Sequence, residues 1–148
     1  MKKPISKWVL GHRITPIDVS GNYDMVLGET PANVPGPPPH FHEGYNEVFL
    51  VTKGEMEFMT NGEVRTVRAG DSVDLPPKTL HTFRNVSNAP CEWVNIHSPK
   101  GFMAFFDQLG VKEHEVGAIE ASVTEEKIQE VMRTAESFDM HIRIPQES

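Results

Sequence analysis

The sequence predicts an all-β domain, either a sandwich or a closed barrel, followed by two C-terminal helices. Apolar and polar residues alternate through many short segments between about residues 8 and 97, which is the period of a half-buried strand. Turn residues separate these segments, and Asn61-Gly62 is the clearest hairpin signal among them. After Ser98 the apolar spacing changes to that of an amphipathic α-helix.

Short strands are predicted throughout the first two thirds of the chain, because β-branched and aromatic residues recur between turn signals. The prolines at 35 and 37–39 cannot donate to a sheet ladder, so this stretch is predicted to be a rigid, extended lead-in to the strand that follows. The predicted strands are 8–10, 14–19, 22–27, 48–51, 55–60, 64–68, 73–75, 79–86 and 91–97.

Two helices are predicted in the C-terminal third, separated by a loop. The first has apolar residues at helical spacing and ends at Gly110, a suitable cap. The second covers residues 124–137, where Ser122 with Glu125 matches a capping box and Thr124 is a rival cap. The apolar positions are Phe102, Phe105, Phe106 and Leu109 in the first helix, and Ile128, Val131, Met132, Ala135 and Phe138 in the second.

Bulk properties limit the classes of function. The 148 residues are predicted to form a single domain, with the barrel over about 8–97 and a helical segment over about 98–148. A formal net charge of −7 argues against nucleic acid or an anionic membrane as a partner. The single cysteine excludes an internal disulfide, and the first apolar run ends at Gly11, so a cytoplasmic location is expected.

Two histidines two positions apart predict a metal site. In an extended strand His40 and His42 point to the same face and can approach one point. Folding the next strand back brings Glu47 beside them, and His81, at the start of a later strand-like run, can supply a further ligand. Imidazoles with a carboxylate suit a divalent transition metal, with Fe, Mn, Ni, Co, Cu and Zn as candidates.

The stretches that carry these ligands, residues 36–54 and 70–85, resemble the two signature motifs of the cupin superfamily. The residues that match are Gly36, His40, His42, Glu47 and Gly54 for the first motif, and Gly70, Pro76, His81 and Asn85 for the second. Two positions depart from the family pattern, since Gly36 lies closer to the first histidine than usual and Lys78 replaces a glycine. The resemblance implies a double-stranded β-helix, or jelly-roll, barrel. It also implies the same four metal ligands.

Within the superfamily the chain is most similar to small single-domain quercetin dioxygenase-like cupins, which share its histidine motif and its phenylalanine-rich helix followed by a glycine. This resemblance implies oxygen-dependent ring opening of an enolic or aromatic, flavonol-like substrate, with dioxygen as the second reactant. Glu47 would then act as metal ligand and as proton acceptor. The alternatives are another metal-dependent reaction, such as isomerisation, and a non-catalytic small-molecule binder. A homodimer is expected from family habit and from an exposed N-terminal strand.

Strand parity also predicts the surroundings of the metal site. The other histidines are interpreted as ordinary core or surface residues, although His97 ends a strand and can border the cavity. Glu43 is predicted to be a solvated rim charge, Cys91 a buried small side chain, and Asn85 a turn residue bonded to backbone. The predicted apolar cavity residues are Phe49, Val51, Met56, Phe58, Val73 and Phe83.

Overall fold

Strands are the main regular structure in residues 4–144, the part of the chain that the structure, a computed structural model, describes. The strands there are β1 (Lys7–Val9), β2 (His12–Ile17), β3 (Asp24–Thr30), β4 (His40–Phe41), β5 (Asn46–Lys53), β6 (Glu55–Thr60), β7 (Glu63–Arg68), β8 (Ser72–Leu75), β9 (His81–Arg84), β10 (Cys91–Ser98), β11 (Val111–Lys112) and β12 (His141–Ile142). The helices are α1 (Met103–Leu109), α2 (Ala118–Ala121) and α3 (Glu125–Thr134), the last continuing into a 3₁₀ turn (Ala135–Phe138). The predicted strands and the two predicted helices are confirmed, with shifted ends.

The strands form two sheets that enclose the core. One sheet has the order β11-β1-β2-β3-β10-β5-β8, and the other has the order β12-β4-β9-β6-β7. Neighbouring strands run antiparallel, which allows short turns to connect them. Phe49, Phe83 and Trp93 pack in the core with ring centroids 5.2, 5.3 and 5.8 Å apart. The all-β prediction is therefore confirmed.

The predicted barrel is not closed by hydrogen bonds. Among residues 4–144, no strand of one sheet pairs with a strand of the other. The chain changes sheets at Gly54, where a φ of +79° turns β5 sharply into β6. At this corner Ala69 donates its backbone N–H to the carbonyl of Gly54 over 3.2 Å, which continues the pairing of β6 with β7 by one residue and stays within that sheet. The chain thus passes from one sheet to the other without a ladder that joins them, and the two sheets form a sandwich.

The start of α3 decides between the two caps that the sequence offered. The Oγ1 of Thr124 accepts the backbone N–H of Lys127 at 3.1 Å, so Thr124 is the cap. Ser122 instead accepts the backbone N–H of Gly11 at 3.0 Å. This bond ties the segment before α3 to the turn between β1 and β2.

Several short features differ from the prediction. The predicted loop 111–121 contains β11 and α2, and β10 includes Ser98, so helix begins only at α1. The sequence also predicts a short extended end over 141–145, where the structure has β12, and Pro145 lies outside the described residues. No helix within residues 4–144 is both long and apolar enough to cross a lipid bilayer. Elements of two to four residues escape sequence analysis because a period needs several residues to be seen.

The strand expected to mediate a homodimer is occupied within the chain. β1 pairs with β2 on one side and with β11 on the other, where Trp8 stands opposite Val111. Strand addition at β1 is therefore not open to a second copy over this stretch. The homodimer itself stays a prediction.

Gly36 packs against β9 and leaves no room for a side chain. A Cβ atom at this position would overlap the backbone carbonyl oxygen of Phe83. We expect Gly36→Ala to lower the free energy of unfolding by about 3 kcal/mol, because the backbone of β9 would have to shift. Chemical denaturation would measure this against Gly62→Ala, whose Cβ meets no atom within 4 Å and is opposed only by its φ of +88°. A loss no larger than that of the control would contradict close packing as the cause.

Candidate metal centre

The candidate metal centre lies between the two sheets and is built on cross-strand pairs. His40 in β4 stands opposite His81 in β9. Glu47 in β5 stands opposite His97 in β10. His42 follows β4 directly, and its ring centroid lies 5.1 Å from that of His40. All five side chains are buried, so pairing within each sheet delivers polar groups to one point between the sheets.

The structure brings the four predicted ligands together. His40, His42, Glu47 and His81 each offer one ligand atom, and these atoms all lie within 4.8 Å of one another. The Oε1 of Glu47 lies 3.0 Å from the Nε2 of His81 and 3.3 Å from the Nε2 of His42. Ligand atoms bound to one first-row ion at about 2.0–2.2 Å lie roughly 3–4 Å apart. The cluster therefore has the dimensions of a metal site.

Backbone carbonyls orient the three histidine rings of the cluster. Because a carbonyl oxygen only accepts hydrogen bonds, each Nδ1 carries a proton, and the neutral form of each ring presents the lone pair of Nε2. Metal-binding histidines are commonly held in this way. The Nδ1-to-carbonyl pairs are His40 with Pro38 at 2.9 Å, His81 with Thr79 at 2.9 Å, and His42 with Asp139 at 2.7 Å.

Several buried polar atoms have no hydrogen-bond partner among the described residues. Leaving one such atom unpaired costs about 1–3 kcal/mol. A divalent cation would satisfy three of them together, since imidazole nitrogens and a carboxylate are ligands of first-row ions. The residues present therefore fit such an ion. The unpartnered atoms are His42 Nε2, Glu47 Oε1, His81 Nε2, His97 Nδ1 and His97 Nε2.

The close packing of the cluster shifts the pKa values of three of its members. Burial raises the pKa of Glu47, but the charges of His97 and His81 and the proximity of the His42 and His81 rings outweigh it and hold that pKa well below its usual range. Burial, with the neighbouring His81 and His42 rings, lowers the pKa of His40 to about 3. Burial also lowers the pKa of His81, yet the Glu47 carboxylate reverses this and leaves it raised. At neutral pH an ionised carboxylate thus stands beside the neutral ring of His40.

His97, which the sequence analysis interpreted as an ordinary histidine that can border the cavity, does line the cavity and also contacts Glu47. Its Nε2 lies 3.3 Å from the Oε2 of Glu47, and Asn95 donates its amide to that same oxygen at 2.7 Å. The His97 ring stacks on Phe102 with centroids 4.3 Å apart and planes at 15°. Asn95 and His97 share one face of β10, which was the available signal. This shared face places His97 at Glu47 only when it is also known that β10 lies beside β5.

An apolar cavity adjoins the cluster, and α1 forms much of its wall. Phe49 and Phe83 line it as predicted, while α1 and the residue before it contribute Phe102, Phe105 and Phe106. Parity predicted the inward face of each strand correctly, but it does not say how far along a strand the cavity extends. The predicted positions that are buried in the core outside this wall are Val51, Met56, Phe58 and Val73.

The volume of the cavity limits its occupant. It measures about 60 Å³, which is room for a few water-sized groups. Pockets that enclose drug-sized ligands have volumes of about 300–1,000 Å³. A three-ring flavonol therefore does not fit the cavity as it stands.

Three further residues lie where the sequence placed them. Glu43 is exposed at the rim. Cys91 is fully buried, and burial raises the pKa of its thiol to about 11, so it is not a reactive thiolate. Asn85 holds its turn through its side chain, whose amide donates to the carbonyl of Ala89 at 2.8 Å and whose oxygen accepts the backbone N–H of Ser87 at 2.9 Å.

Lys78, which departs from the motif, adopts the backbone conformation of the glycine that it replaces. Its φ is +71°, in the left-handed region that glycine favours. Its backbone N–H donates to the carbonyl of His42 over 2.7 Å. The turn of the second motif is thus fastened to a residue of the first.

Comparison with known proteins agrees with the geometry. The family model for the cupin domain, Cupin_2, matches residues 27–97. The chain is 32% identical to quercetin 2,3-dioxygenase of Bacillus subtilis (strain 168) over 71 residues. This match covers 48% of this chain and 21% of that protein. The matched part therefore spans only about a fifth of that relative's length.

Solved structures share the fold. An RmlC-like cupin from Shewanella frigidimarina superposes with a TM-score of 0.58 at 20% identity, covering 66% of this chain and 85% of that chain. A sugar phosphate isomerase of the cupin superfamily from Silicibacter pomeroyi gives a TM-score of 0.56 at 18% identity, covering 62% of this chain and 61% of that chain. At these identities the likeness concerns the fold alone.

Proposed function

Because the chain belongs to the cupin superfamily, we propose that it is a metal-dependent dioxygenase that acts on a small enolic or aromatic molecule. The proposed ligands are His40, His42, Glu47 and His81. The observation that carries this proposal is the set of buried, unpartnered ligand atoms beside an apolar cavity. Similarity to a quercetin 2,3-dioxygenase over 71 residues supports the choice of reaction.

When bound, a redox-active first-row ion supplies Lewis acidity toward an enol oxygen and a route for electrons to dioxygen. The three Nε2 atoms and Glu47 Oε1 would hold it, and the backbone carbonyls behind the rings keep those atoms aimed inward. Phe102 and Phe106 exclude water from the cavity. The low dielectric that results strengthens the attraction between an enolate and a cation.

Glu47 is the proposed proton acceptor. The enol O–H bond breaks, and its proton passes to the carboxylate of Glu47, which is ionised at neutral pH because its pKa lies well below the usual range; burial opposes this, and the charges of His97 and His81 outweigh it. Asn95 holds Oε2 in place through its amide N–H. The carboxylate is thus oriented by one neighbour and faces the cluster with its other oxygen.

The cavity volume of about 60 Å³ favours a substrate smaller than a flavonol. It equally suits the second candidate function, another metal-dependent reaction of a small molecule, such as isomerisation. A non-catalytic binder of small molecules is the third candidate.

Elemental analysis together with oxygen uptake tests the proposal. The purified protein is loaded separately with each candidate ion and mixed with quercetin or with a smaller enol such as maltol. We expect oxygen consumption with a small enol and at least one redox-active ion, and none with Zn²⁺. Conversion without oxygen uptake would favour isomerisation. Tight binding with no conversion under every ion would leave the non-catalytic binder.

A further inference from the structure

His97 is a polar group of the cavity that the proposed ligand set does not use. Its side chain is 1% exposed, and both ring nitrogens are without a hydrogen-bond partner in the described part of the chain. The nearest acceptor, Glu47 Oε2 at 3.3 Å, already receives the amide N–H of Asn95 at 2.7 Å. Burial of two unpaired nitrogens destabilises the fold unless a molecule that enters the cavity binds them.

His12, on the same cavity wall, shows how a structural histidine is bonded in this fold. Its Nδ1 lies 2.8 Å from the hydroxyl of Thr30, and its Nε2 lies 3.2 Å from the carbonyl of Pro35. Both nitrogens of His12 are therefore satisfied by the protein. The contrast marks His97 as a group left free for a ligand.

The position of His97 is fixed by its neighbours. β10 is paired on both sides, so His97 stands opposite Asp24 in β3 and opposite Glu47 in β5. Its ring stacks on Phe102, and its centroid lies 5.3 Å from that of His42. A ring held in this way presents each nitrogen in a fixed direction, with Nε2 beside Glu47, as recognition of a particular atom requires.

We propose that His97 binds the substrate, through a hydrogen bond to one oxygen of a molecule whose neighbouring oxygen binds at the metal cluster. Glu47 presents Oε1 to the cluster and Oε2 to the Nε2 of His97 at 3.3 Å, so the cluster and His97 are separated by the width of one carboxylate group. That spacing suits oxygens on adjacent carbon atoms, as in a hydroxyketone or its enediol. The inference rests on the proposed function, because the cluster anchors the first oxygen.

Maltol binding to the zinc-loaded protein tests this role. Maltol carries a hydroxyl and a ketone on adjacent carbons of one small ring, and Zn²⁺ has no redox chemistry, so binding is measured without turnover. His97→Phe keeps a ring to stack on Phe102 and removes both nitrogens. Calorimetry is expected to show maltol bound about tenfold more weakly by this variant. The comparison ligand is 2-methyl-4-pyranone, which lacks the hydroxyl. The substitution should weaken its binding much less than that of maltol.

Thermal unfolding of the metal-free proteins separates a binding role from a structural one. We expect His97→Phe to unfold at the same or a higher temperature than the wild type, since an apolar ring replaces two unpartnered nitrogens. A marked decrease with unchanged maltol affinity would identify a structural histidine.

The second variant is His97→Gln, which keeps a hydrogen-bond donor and an acceptor. If His97→Phe does not fold, this variant tests whether His97 contributes to maltol binding. Its affinity for maltol is expected to lie between the affinities of the wild type and of His97→Phe. Maltol affinity equal to the wild type in every folded variant overturns the inference and leaves the proposed function intact. Failure of the wild type to take up zinc overturns the metal centre and the inference together.

Discussion

Replacing either His42 or His81 with alanine is expected to abolish stable metal binding. Each change removes one of three Nε2 donors and one of the two imidazoles that face Glu47 Oε1. Loss of an outer partner of a metal ligand weakens affinity by about 10–100-fold, so loss of a ligand should weaken it by more than about 100-fold. Elemental analysis after dialysis against a chelator measures the effect.

His114→Ala is the matched control for these variants, because His114 is an exposed histidine that is not part of the cluster. The wild type and this control should gain about 3 kcal/mol of stability at a free metal concentration of about 100 times the dissociation constant. The His42 and His81 variants should show no such gain in thermal unfolding. Full metal content in both alanine variants would show that the ligand assignment is wrong.

Glu47→Gln is expected to reduce turnover far more than substrate binding. The amide keeps the shape of the side chain but cannot accept the enol proton, and loss of a general base typically slows a reaction by about 10²–10⁴-fold. Asn95 donates to the present carboxylate, so the amide oxygen should turn toward Asn95 and the NH₂ group toward the histidine lone pairs. Metal affinity should therefore fall as well, and rates must be compared at measured metal content.

Oxygen uptake per bound metal distinguishes the two effects of this substitution. Glu43→Gln makes the same chemical change on an exposed carboxylate four residues earlier, and it should leave uptake unchanged. If the uptake of Glu47→Gln falls only in proportion to its metal content, Glu47 is a ligand and not the base.

The features that the sequence alone determined are local ones. A spacing of two in an extended stretch is enough to place His40 and His42 on one side, and a period of two between turn residues is enough to identify the longer strands. The phenylalanine-rich helix α1 followed from its spacing, and its end at Gly110 followed from the cap. The match to both signature motifs then specified Glu47 and His81 as partners, because the family pattern carries information on contacts that periodicity lacks.

The tertiary structure decided which distant segments meet. His97 joins Glu47 only because β10 pairs with β5, and no period within either strand reveals that pairing. The sheets form a sandwich and not a closed barrel because, among residues 4–144, no strand of one sheet pairs with a strand of the other. The cavity is small because the aromatic side chains of α1 close it, a contact between elements that meet only in the folded chain. Periodicity shows which face of an element is buried, whereas packing between elements selects what that face touches.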